Sequence, residues 1–215
     1  MTLSNFYIGY IVPASTLLPL TAGMVYYRHL NKPLRALMVY LLLSLLTNIA
    51  ASVLAARHTN NMPLLHFYTM FELLAVSYYY RKAFCNKKAN QWLTAIMVVY
   101  PILCIINFSF IQSIYKFNTY TRPLEAVIII LVSGVYLSEQ NRFEKQELIT
   151  ASGRLVAYGF LIYFCSSLFQ FIFSNAVSHH ASKFVKATIW NLHASFVLIM
   201  YLFFYLAIRR NERHD

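Results

Sequence analysis

Residues 36–56 read ALMVYLLLSLLTNIAASVLAA, a run of 21 without one charged side chain. Wound as a helix at about 1.5 Å per residue, it reaches roughly 30 Å, the thickness of a bilayer's hydrocarbon core. Its polar members Ser44, Asn48 and Ser52 recur every fourth residue and so share one helix face, leaving the rest of the surface for lipid. Working outward with the same window predicts helices near 5–27, 34–56, 64–84, 91–111, 119–138, 153–177 and 186–208. The expectation is an all-α, polytopic membrane protein, a single seven-helix transmembrane domain over residues 1–215.

Composition agrees. The chain is 59% apolar and 12% charged, where a soluble domain carries about 25% charged residues. The loops are too short to fold separately, so any activity belongs to the bundle or to a membrane-protein partner. A net charge of +11 in a soluble chain would point to nucleic acid, but here the basic residues alternate between loops. Thirteen Lys and Arg residues fall on one side, among them Arg28, Lys82, Lys88, Arg154 and Arg209, and five on the other: Arg57, Lys116, Arg122, Lys183 and Lys186. The positive-inside bias predicts an N-terminus outside and a C-terminus in the cytoplasm, in the cell's inner membrane, with the basic excess facing anionic headgroups and no nucleic-acid partner.

No Lys or Arg precedes Arg28, so the first helix is expected to be retained and not cleaved as a signal peptide. Cys85, Cys104 and Cys165 lie in or beside helices, and no disulfide framework is expected. The segment from Glu139 to Thr150 mixes Glu and Lys without an apolar stripe and reads as a helix end continuing into water, or as a docking surface.

Within the apolar spans stand two acidic residues, Glu72 and Glu125, and a carboxylate there is costly unless paired or wetted. Counted along their helices, both lie about 10–12 Å below the outer ends. Asn48, Gln170, Asn191 and His193 lie at about the same depth, ~9–12 Å. Five helices thus contribute to one layer, which predicts an outward-facing polar pocket or one buried network. Helix six adds a stripe of Tyr163, Ser166, Ser167, Gln170 and Ser174, and Arg122 precedes Glu125 by three residues, the spacing of an ion pair.

Several activities are excluded by what is missing. Helix seven has no mid-membrane Lys for a retinal Schiff base, and neither an Asp-Arg-Tyr run after helix three nor Asn-Pro-x-x-Tyr in helix seven is present. A ceramidase-type zinc hydrolase would need several His and an Asp, yet the one Asp is Asp215 and no His-x-x-x-His pair occurs. An intramembrane zinc site could still draw on His66, Glu72 and His193. A structural subunit of a larger complex would show a face of small residues, of which Ala51 and Ala55 are a weak sign. The expectation is instead a non-enzymatic protein without cofactor, binding, sensing or transporting a small cationic or protonatable ligand. In that reading Glu72 is the charge partner, and Asn48, Gln170, Asn191 and His193 are polar ligand contacts. Tyr68 and Trp190 form an aromatic wall, and Arg122–Glu125 a gate or structural pair.

Overall fold

The computed structural model describes residues 3–142 and 151–212, and every regular element among them is a helix. After one turn at Leu3–Phe6, α1 spans Tyr7–Val25; it is followed by α2 (Lys32–Ala56), α3 (Met62–Ala83), α4 (Lys87–Ile111), α5 (Thr121–Arg142), α6 (Ala151–His180) and α7 (Lys183–Glu212). The predicted segment 139–150 falls mostly outside the described residues, as do Arg213 and Asp215.

Six of the seven helices are long and apolar enough to cross a membrane; α3 is the exception. It carries His66, Glu72, Arg81 and Lys82; His66, Thr69, Glu72 and Ser77 are buried against neighbouring helices, and Arg81 and Lys82 are exposed at its end. A helix whose polar groups face protein does not need the hydropathy that lipid contact demands. α2 and α4 present the opposite pattern, with Val39, Leu42, Leu46 and Ile49 on one and Trp92, Val99, Ile102 and Phe110 on the other exposed on their outer faces.

Local chemistry sets the helix ends and kinks. Asn31 caps α2 by accepting from the Leu34 N–H at 3.0 Å, with Pro33 in the first turn. His58 adopts a left-handed conformation just past the end of α2, where the Thr59 N–H bonds to the Leu54 carbonyl at 2.9 Å. α1 contains a π-turn at Tyr7–Ile11 immediately before Pro13, and α4 ends in another at Asn107–Ile111 after Pro101. Proline lacks the N–H that would continue the ladder and crowds the carbonyl four residues back, which for Pro13 is that of Gly9 inside the π-turn of α1; the turn in α4 lies beyond Pro101, whose own crowded carbonyl, Met97, is in regular helix.

The packing order is a ring. α1 contacts α2, α2 contacts α3, α3 contacts α5, then α5 to α6, α6 to α7, and α7 returns to α1, while α4 packs outside the ring against α3. Its centre is aromatic: Phe160 of α6 lies edge-on to Tyr40 at 5.5 Å, Phe204 at 4.9 Å and Tyr79 at 6.1 Å between ring centroids. Beside it, α6 and α7 approach closely at Gly159, where a Cβ would lie 3.1 Å from Phe203 Cβ and 3.3 Å from the Met200 carbonyl oxygen. Gly159→Val should therefore cost about 1–3 kcal/mol through overpacking. Gly134→Ala, on an open stretch of α5 with nothing within 4 Å, should stabilise by about 0.5–1 kcal/mol. Thermal unfolding of the two variants in one detergent checks the pair; equal shifts would contradict the close α6–α7 contact.

Candidate functional site

The ring encloses a cavity of about 300 Å³ at the end where α1, α3, α5 and α7 begin and α2 and α6 finish. All six ring helices contribute to its wall. The floor is built by α3 and α5. Asn118, just before α5, accepts from the backbone N–H groups of Thr121 (3.0 Å) and Arg122 (3.2 Å), an N-cap that fixes the helix start and with it the direction of Arg122.

Arg122 joins two carboxylates. Its Nη1 bonds both Glu72 Oε2 and, at 2.6 Å, Glu125 Oε2. Its Nη2 donates to Tyr163 Oη at 3.2 Å, and the guanidinium lies 4.6 Å from the Phe171 ring centre. Glu72 Oε1 accepts from Tyr40 Oη at 3.1 Å and from Tyr68 Oη at 2.9 Å. The Glu72 and Glu125 side chains are 1% and 0% exposed and that of Arg122 is 14% exposed. Glu125 Oε1 is buried and makes no hydrogen bond among the described residues. With both carboxylates ionised the group carries two negative charges against one positive; Glu72 and Arg122 line the cavity wall, and the second carboxylate, Glu125, lies behind them. Such a charge in a medium of low polarity attracts a cation or a proton.

Asn48, Tyr68, Gln170, Trp190 and His193 also line this cavity. Trp190 stacks on Phe117 at 5.7 Å, which holds the indole at the mouth. Two residues of the predicted set lie elsewhere. Asn191 accepts from Ser4 Oγ at 2.9 Å, ahead of α1, because residues two apart on a helix point about 200° from each other and Asn191 cannot share the face of His193. Glu125 is buried behind Arg122 and does not line the wall. Glu72, which has no basic neighbour in its own helix, takes its partner from α5, so Arg122 is not reserved for Glu125. The predicted stripe on α6 also divides: Tyr163, Ser167, Gln170 and Ser174 are buried, and Ser166 is exposed.

The zinc alternative is not assembled. Among the described residues no three His, Cys, Asp or Glu side chains gather closely enough to hold a metal ion. His66 Nε2 lies 3.0 Å from the Lys116 carbonyl oxygen and His193 Nδ1 lies 2.8 Å from Ser167 Oγ.

Sequence reading missed Tyr40 and Tyr201, which also line the cavity; Tyr201 Oη pairs with Ser44 Oγ at 2.7 Å. The signal was present. Tyr40, Ser44 and Asn48 recur every four residues, as do His193, Val197 and Tyr201, but tyrosines in an apolar run read as interface anchors. No family model, no curated protein and no solved structure matches this chain. The function rests on the geometry of the site.

Proposed function

We propose that this is a seven-span protein of the cell's inner membrane, N-terminus outside, that binds a small cationic or protonatable ligand from the outer side in order to sense or transport it. The observation that carries the reading is the Glu72–Arg122–Glu125 cluster at the floor of the cavity, with one more carboxylate than guanidinium. Tyr68 and Trp190 give the wall an aromatic face suited to an organic ammonium group. Gln170, Asn48 and His193 supply polar contacts that would orient it. The outward orientation is supported by the basic residues, five at the cavity end against thirteen at the other.

Trp190 provides the readout. The chain has two tryptophans, and Trp92 lies on the outer face of α4, 72% exposed. In a Trp92→Phe background, tert-butylammonium should change Trp190 fluorescence saturably, and tert-butanol, of similar shape without the charge, should not. Equal responses to both, or to neither, would refute the cation reading. For the orientation, cysteines at Asn60 and His180 should react with an impermeant thiol reagent applied to intact cells, and native Cys85 should not; the reverse pattern would invert the topology.

A further inference from the structure

A second cavity, of about 230 Å³, lies at the opposite end of the bundle, where α2 and α6 begin and α3 ends. Its wall includes Asn31, Tyr79, Lys82, Cys85, Tyr136 and Gly153. Gly153 is needed for this shape, because a Cβ there would lie 2.1 Å from Tyr136 Oη. The groups around the cavity are donors. Lys82 brings an ammonium. Asn31 uses its carboxamide oxygen to cap α2, accepting from the Leu34 N–H at 3.0 Å, so its amide nitrogen is the side-chain group left to meet a ligand. Tyr79 is 0% exposed and its hydroxyl has no hydrogen-bond partner among the described residues, an arrangement that is costly unless a partner is supplied. The positive end of the α2 dipole points at the same place.

Among the described residues no acidic side chain lines this cavity. Glu139 at the same end is held by Asn86 Nδ2 at 2.9 Å. A donor-rich cavity with one ammonium, one orphan phenol and a helix N-terminus fits an anion with several acceptor oxygens. It opens on the side of the chain with thirteen Lys and Arg residues, the depth at which lipid phosphates sit beside the ends of membrane helices.

We infer that this second cavity is a phosphate-binding site, taking the phosphate of an anionic lipid headgroup or a free phosphate, with Lys82 as the counter-charge and Tyr79 Oη as the buried donor. It is independent of the ligand reading for the first cavity.

Cys85 lines the site and is exposed, whereas Cys104 is buried. In a Cys165→Ser background the rate at which uncharged N-ethylmaleimide labels the full-length protein therefore reports occupancy at Cys85. Three probes are compared in neutral detergent: phosphatidylglycerol, phosphatidylcholine and inorganic phosphate. A bound phosphate group should slow labelling about tenfold when the probe is present at about ten times its Kd, and phosphatidylcholine should not match it. Protection by phosphatidylglycerol alone assigns a lipid headgroup, and protection by inorganic phosphate assigns a free phosphate. Lys82→Gln at the rim and Tyr79→Phe, which removes a hydroxyl without a protein partner, should each abolish most of the protection while leaving the unfolding temperature intact. Protection by neither phosphate probe, or protection that survives both substitutions, overturns the assignment.

Discussion

Arg122→Met should destabilise the bundle by about 3–5 kcal/mol, the cost of stranding a buried charge whose partner has been removed. The methionine keeps most of the side chain's length and its contact with Phe171, so the loss reports charge more than packing. Two carboxylates are stranded at once. Glu72 retains the hydroxyls of Tyr40 and Tyr68, but Glu125 loses the hydrogen-bonding partner it has among the described residues. The decisive comparison is the triple variant in which Glu72→Gln and Glu125→Gln accompany Arg122→Met. Removing every charge of a buried network is far less costly than removing one side of it, so the triple variant should recover most of the lost stability. Denaturation of the three proteins in the same detergent measures both effects. A single variant within about 1 kcal/mol of the wild type, the range of exposed pairs, would mean that the three groups are not coupled as the structure has them.

How far the sequence alone reaches depends on what each inference needs. Long apolar runs locate the helices because the hydrocarbon thickness sets their length, yet α6 and α7 extend beyond the expected 153–177 and 186–208, to Ala151–His180 and Lys183–Glu212. Hydropathy marks only the lipid-facing middle of a helix; residues such as His179, Lys183 and Arg210 continue the same ladder into the headgroup region. Depth along a helix is equally readable, which is why Asn48, Glu72, Gln170 and His193 meet at one cavity. Direction around the helix is harder to read, and Asn191 fails on that count. Partners from another helix are not readable at all from spacing. Arg122 and Glu125 are visible at three residues apart, whereas Arg122 and Glu72 lie fifty apart and meet because α3 packs against α5.

That cross-helix contact changes what the two carboxylates should do when neutralised. Glu72→Gln removes the charge on the cavity wall and leaves Arg122 with Glu125, a neutral pair, so the fold should hold. The variant should even gain slightly, since two carboxylates no longer compete for one guanidinium. Affinity for tert-butylammonium should fall about 10- to 100-fold, the worth of a hydrogen bond to a charged group. Glu125→Gln is expected to behave differently. Had Arg122 no other partner, this substitution would strand the arginine; with Glu72 in place it should cost about 1 kcal/mol or less and leave the affinity for tert-butylammonium close to that of the wild type. Trp190 fluorescence titrations with tert-butylammonium, beside unfolding curves for both variants, test this asymmetry. If both substitutions lower stability equally and neither alters binding, Glu72 is a structural tie between α3 and α5, because a ligand site must tell the carboxylate on the wall from the one behind it.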